Sequence, residues 1–322
     1  MTVDRLKALV ANDFEAVNAL IHEKSRSEAG LTASLSSYII ESGGKRLRPL
    51  LVLLSSYAAG YAGTYHISLA AMIEFIHTAT LLHDDVIDDS SLRRGRSTAN
   101  TIWGSKASIL VGDYLLSQSL DLMLHTKNWP IIELLVDTMK QLSLGEVKQL
   151  FNRHNYNLST ADYFEIIRSK TALLFATSAA IGPILSESSP EICYAFYNYG
   201  LHLGNAFQLI DDALDYSSDA EALGKNVGDD FSEGVITMPL IHALQNGTAE
   251  DIKLITDALK IKKMGNYSAI LSIIHKTQAI EATQALAALE IDKALSNLIP
   301  LPDSEFKKAL VSLAQFAIER DC

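Results

Sequence analysis

The chain has 322 residues (35.2 kDa) with 48% hydrophobic and 20% charged side chains, enough apolar material for a large core, and intrinsic disorder is excluded. A formal charge of −11, from 27 Lys and Arg against 38 Asp and Glu, argues against a nucleic-acid partner, whose phosphates call for a basic surface. Seven prolines leave few helix breakers, and Cys193 and Cys322 stand too far apart for a disulfide scaffold or zinc site, which fits a reducing, cytoplasmic setting.

In chain order, the opening stretch carries Asp4, Arg5, Lys7, Asp13 and Glu15, so no secretory signal is expected there. Glu41-Ser42-Gly43-Gly44 then breaks the chain before Lys45-Arg46-Leu47-Arg48-Pro49. Residues 49–73 and 192–210 lack Asp, Glu, Lys and Arg and are long enough to cross a bilayer. The first, however, holds Ser55, Ser56, His66 and a Gly60-to-Gly63 turn, and the second holds Asn198, His202, Asn205 and Gln208. Both are therefore expected to be buried bundle helices, with no membrane span. Phe75 to Leu82 is an apolar helical run closed by Asp84-Asp85-Val86-Ile87-Asp88, with Arg93-Arg94-Gly95-Arg96 just beyond. Loop signals recur at 127–130, 186–190 and 245–248. Ser159-x-x-Asp162, Ser189-Pro190-Glu191 and Thr248-x-x-Asp251 predict helix starts. A second apolar run, Leu203 to Ile210, ends in Asp211-Asp212-Ala213-Leu214-Asp215, flanked by Lys170-Thr171 and Lys225. Alternating strand patterns are nearly absent, so the spacing predicts one all-α domain over 1–322 with ten or more helices.

On a helix, Asp84 and Asp88 share a face, as do Asp211 and Asp215. Like charges at the end of an apolar run are costly unless a cation neutralises them, and an all-oxygen site suits Mg²⁺ shared with substrate phosphates. The Gly-Gly turn with Lys45, Arg46 and Arg48 offers backbone N–H groups and guanidiniums to an anion. Acid and base beside one another in two places is the arrangement a diphosphate requires.

Gly43 to Pro49, His77 to Asp88, Arg93-Arg94-Gly95, Lys170-Thr171, Phe207 to Asp212 and Gly224-Lys225 resemble, in order, the motif set of the trans-prenyl diphosphate synthases. The stretch Phe75 to Asp85 is most similar to the bacterial long-chain, octaprenyl branch. This resemblance implies an all-α bundle around a central cavity, working as a homodimer. It implies that Lys45, Arg48, His77 and Arg94 hold isopentenyl diphosphate, and that Arg93, Lys170, Thr171, Gln208 and Lys225 contact an allylic diphosphate such as farnesyl diphosphate. Two or three Mg²⁺ ions would be held by Asp84, Asp85 and Asp88 on one side and by Asp211, supported by Asp212 and Asp215, on the other. The product, near C40, would be membrane-seeking and serve as a quinone side chain. Its length would be set along the helix leading to Asp84, where Ala79 and Thr80 are small and Ile76 and Met72 lie further back.

One position departs from the family pattern. Members often carry a lysine after Glu-Gly, where Glu233-Gly234-Val235 has valine, so weaker diphosphate binding is expected. A His-Asp metal phosphohydrolase would use His77, His83 and Asp84 but would leave the second acidic motif unexplained. A shorter- or longer-chain synthase is the nearer alternative. A regulatory subunit would have lost carboxylates from one motif, and a terpene cyclase would not need Lys45 and Arg48.

Overall fold

The computed structural model describes residues 2–25, 30–41, 44–93, 95–217, 228–261 and 267–319. The helices are α1 (Val3–Ala8), α2 (Ala11–Ser25), α3 (Gly30–Glu41), α4 (Leu47–Ala58), α5 (Tyr65–Ile87), α6 (Ala99–Trp103), α7 (Ser105–His125), α8 (Trp129–Phe151) and α9 (Thr160–Ile167). After a π-helical turn at Arg168–Ala172 follow α10 (Leu173–Leu185), α11 (Pro190–Asp215), α12 (Asp229–Glu233), α13 (Met238–Asn246), α14 (Ala249–Ile261), α15 (Tyr267–Lys276), α16 (Ala279–Asn297) and α17 (Glu305–Glu319). The expected all-α architecture is present. Strand pairing among the described residues is confined to a two-residue ribbon, Leu92–Arg93 against Arg96–Ser97, turned by Gly95 at φ +71°.

Helix starts follow the capping chemistry. Ser159 accepts the Asp162 N–H (3.1 Å) at the head of α9, and Ser189 accepts the Ile192 N–H (3.5 Å) with Pro190 in the first turn of α11. Thr248 and Asp251 exchange bonds in both directions, a capping box before α14. Each such cap is worth about 1 kcal/mol. The charge-free stretch 49–73 is split between α4 and α5 by the predicted glycine turn, and 192–210 lies inside α11. Among the described residues one helix, α5, is long and apolar enough to cross a bilayer, and the bundle buries most of it.

A continuous apolar core runs from Val3 to Ala317. Helix α11 packs on α10 and α16, α4 on α10, and α5 on α7. Helix α11 lies close against α10 and the π turn because Gly200 faces the first and Gly204 the second. A Cβ at Gly204 would stand 2.5 Å from Ala172 Cα, and one at Gly200 would collide with Phe175 O. That approach brings the carboxyl end of α11 alongside the π turn. Between the ends of α5, α8, α11 and the π turn lies a cavity of about 1140 Å³.

Candidate active site

The first acidic motif sits at the carboxyl end of α5. Asp84 and Asp88 line the cavity, as their spacing predicts. Asp85 does not: it is 1% exposed and its Oδ1 accepts from Arg93 Nε (2.9 Å) and Nη2 (2.8 Å). Its Oδ2 is buried with no partner among the described residues. Lys170 reaches this motif rather than the second one. Its Nζ lies 3.6 Å from Asp84 Oδ2, 3.1 Å from Glu146 Oε2 and 2.6 Å from Gln149 Oε1. The extra residue of the π turn rotates Lys170 and Thr171 onto the wall, a distortion frequent at functional sites. Burial raises the pKa of Asp84 and of Glu146, with Lys170 pulling each back down. Burial disfavours the Lys170 ammonium, but Asp84 and Glu146 outweigh it and hold its pKa above the usual value. A mixed carboxylate–ammonium cluster of this kind is a receptor for a cation and an anion together.

The second acidic motif closes the facing end of α11, with Asp211, Asp212 and Asp215 all on the cavity wall. Asp212 is held from two sides. The Tyr163 hydroxyl donates to Oδ2, and Gln208 Nε2 donates to Oδ1 at 2.8 Å. Thr171 in turn donates to Gln208 Oε1 at 2.7 Å. Burial and then Asp230 push the Asp212 carboxyl up to about 8. Asp215 Oδ2 accepts the Asp230 backbone N–H at 3.3 Å.

The basic turn forms another part of the wall. Arg48, in the first turn of α4, donates to His77 Nε2 at 3.3 Å and lies 4.3 Å above the Phe175 ring. Lys45 stands 4.9 Å from the Phe316 ring, while Arg46 turns to Asn18 and Glu74. Arg94 and Lys225, together with Gly43 and Gly224, lie outside the described residues.

Along α5 the cavity continues past Thr80 and Ile76. Ala79 and Met72, expected on this path, are fully buried in the core and do not line the cavity: Ala79 is turned off the Ile76–Thr80 stripe by helical phase, whereas Met72 keeps that phase but precedes Glu74, the first residue of α5 on the wall. His83 donates toward Ile109 O (3.2 Å) and Asp113 (3.5 Å) of α7, away from the Arg48–His77 pair. The two histidines and Asp84 therefore do not combine as a hydrolase metal site would need.

Among the described residues no three His, Cys, Asp or Glu side chains form a ready-made metal cage. The cavity wall gathers the carboxylate oxygens of Asp84, Asp88, Glu146, Asp211, Asp212 and Asp215. That set fits a hard divalent cation completed by substrate oxygens and water. Glu146, Gln149, Arg153, Tyr163 and Asp230 also belong to the site and escape a sequence reading. Only the i, i+3, i+7 spacing of Glu146, Gln149 and Arg153, a polar stripe along α8 running on past its end, could have flagged three of them.

The polyprenyl synthetase family model matches residues 30–277. The octaprenyl diphosphate synthase of Escherichia coli is 42% identical over the full length of both chains. The all-trans-nonaprenyl-diphosphate synthase (geranyl-diphosphate specific) of Rhodobacter capsulatus is 40% identical, over 97% of this chain and 96% of its own. A crystal structure of a Caulobacter crescentus polyprenyl synthase complexed with calcium and isoprenyl diphosphate superposes with a TM-score of 0.96 at 41% identity, covering 100% of this chain and 98% of that one.

Proposed function

The chain belongs to the polyprenyl synthetase family, and we propose that its cavity joins isopentenyl diphosphate to an allylic diphosphate, farnesyl diphosphate as starter, in repeated five-carbon steps to a product near C40. One observation carries the reading: two carboxylate motifs and Lys170 converge on a single cavity that extends along α5. Asp84, Asp88, Asp211 and Asp215 would hold Mg²⁺, with Asp85 and Asp212 supporting them. Bound there, Mg²⁺ supplies charge neutralisation to the allylic diphosphate.

Lys170, Thr171, Gln208 and Arg93 orient the allylic diphosphate, and the ammonium of Lys170 favours the charge that grows on its oxygens as the C–O bond breaks. Arg48, Lys45 and His77 hold isopentenyl diphosphate so that its double bond faces the allylic carbon. The new C–C bond forms as diphosphate leaves with the electron pair, and loss of a proton restores a double bond. Ile76 and Thr80 line the path of the growing chain. We further propose that the enzyme is a homodimer, supported by exposed apolar side chains along α7 and α8.

The test is incubation with radiolabelled isopentenyl diphosphate, farnesyl diphosphate and Mg²⁺, followed by sizing of the dephosphorylated product. A labelled polyprenol near C40 is expected. Phosphate release with no chain extension would instead establish a hydrolase.

A further inference from the structure

We infer that Arg153, at the carboxyl-terminal corner of α8, is a contact for the allylic diphosphate, supplying from that corner the positive charge that position 235 lacks. The inference rests on the synthase reading above. Val235 lies on the cavity wall between Glu233 and Ile236, an uncharged side chain beside an acidic one in a wall that must hold a polyanion. Arg153 is on the same wall.

The two positions are clamped together by the backbone. The His154 N–H donates to Gly234 O at 2.9 Å, so the α8 corner and the 233–235 loop are hydrogen-bonded neighbours. Gly234 has φ +75°, and a Cβ there would run into the His154 ring, so the contact tolerates only glycine. The corner is fixed from its own side as well. Asn152 Nδ2 donates to Lys148 O at 2.9 Å, and Asn155 Nδ2 donates to Asn152 Oδ1 at 2.9 Å. Arg153 and Val235 therefore reach the same cavity wall from backbone positions flanking that contact.

Its present partners leave capacity for an anion. The Arg153 guanidinium donates through Nη2 to Asp88 Oδ1, while its Nε is buried with no hydrogen-bond partner among the described residues. A guanidinium carries five N–H donors in a rigid fork, and a buried donor left unmet is costly. Diphosphate oxygens match that fork and would take the donors the protein leaves open. In the free enzyme Arg153 shields Asp88. With substrate bound, Asp88 turns to its cation and the guanidinium turns to phosphate, so the ion pair is exchanged rather than simply broken.

The experiment compares wild type, Arg153→Val, Val235→Lys and the double variant. Isothermal titration with inorganic diphosphate, with and without Mg²⁺, is read beside steady-state kinetics and thermal melting. Arg153→Val should weaken diphosphate binding and raise the farnesyl diphosphate KM by roughly 10- to 100-fold, with little change for isopentenyl diphosphate. The double variant should recover most of that loss, because a lysine at position 235 would place a cation in the same part of the wall. Unchanged diphosphate affinity in Arg153→Val overturns the inference. So does a weakened single variant that Val235→Lys fails to rescue, since Arg153 would then be only the counter-ion of Asp88. Should Arg153→Val melt early, Arg153→Gln, which keeps the length and loses the charge, is read in its place. A wild type that binds diphosphate but extends no chain would remove the synthase reading, while the comparison of diphosphate affinities would still decide the role of Arg153.

Discussion

Asp84 and Asp211 have different neighbours from Asp85 and Asp212, and that separates their expected phenotypes. Asp84 opens on the cavity beside Lys170, whereas Asp85 is tied to Arg93 and Asp212 to Tyr163 and Gln208. Asp84→Ala or Asp211→Ala should each lower turnover by orders of magnitude while the helical circular dichroism is kept; near-normal rates in either would sink the assignment. Arg48→Ala should raise the KM for isopentenyl diphosphate far more than that for the allylic substrate, and the reverse pattern would mean the two sites are interchanged. Away from the cavity, Glu290 on α16 is 4% exposed. Burial alone would raise its pKa, but bonds from His202 Nδ1 (2.8 Å), Lys293 Nζ (2.6 Å) and Asn205 Nδ2 (2.8 Å) prevail and hold it at about 2. A carboxyl whose pKa is depressed on folding stabilises the protein above its unfolded value, near 4.5, and that contribution fades as pH falls toward 2. Glu290→Gln should therefore cost on the order of 3 kcal/mol at neutral pH and flatten the acid limb of the melting-temperature curve. An acid limb identical to that of wild type would show that the cluster contributes nothing.

Helix α5 shows how phase decides function at the scale of an element. Thr80 and Ile76 lie on the cavity side one turn apart, with Asp84 a turn further on, while Ala79, next to Thr80 in sequence, packs into the core. Thr80→Phe should block the path and shift the product toward C15 or C20, read by sizing the dephosphorylated chains. Ala79→Phe should instead overpack the core, at about 1–3 kcal/mol, and lower the melting temperature without shortening the product. Equal shortening by both variants would place the path on the Ala79 side. The sequence could show that 76, 80, 84 and 88 share a stripe, because helical spacing is local. Which neighbouring residue joins that stripe depends on where α8 and α10 stand, and no local pattern encodes that. Caps such as Ser159 and Thr248 were legible for the same reason of locality. The π turn was not, because one inserted residue in a helix leaves composition unchanged, and it is this turn that carries Lys170 to Asp84. Glu146, Arg153 and Tyr163 meet their partners across 24, 65 and 49 residues of chain, and beyond the polar stripe that Glu146 and Arg153 share nothing local marks them as site residues.

At the scale of the whole molecule, the apolar core from Val3 to Ala317 supports reading the chain as one domain, and the surface it leaves exposed supports a dimer. Ile109, Leu110, Leu120 and Leu124 recur along one side of α7, and Val136, Leu144, Val147, Leu150 and Phe151 along one side of α8. Several are far out of the fold: Leu110 is 68% exposed, Val147 63% and Phe151 88%. Apolar stripes of that length on two long helices are more than a monomer ordinarily shows, whereas singly scattered apolar residues would need no explanation. A second copy of the chain, docked so that each stripe covers its counterpart, would bury them, with full burial of each large side chain worth about 1.5–3 kcal/mol. A two-fold interface doubles the effect of any substitution, because the same patch is contributed twice. Leu124→Glu combined with Val147→Glu would thus place four carboxylates at the contact, and sedimentation equilibrium should change from a mass near 70 kDa, twice the 35.2 kDa of the chain, to that of one chain. The cavity lies at the ends of α5, α8 and α11, and neither substituted residue is part of its wall. Circular dichroism should therefore keep its helical signature in the monomer. A double variant that still sediments at twice the chain mass would show that the dimer forms through another face, and a wild type that sediments as one chain would rule the dimer out.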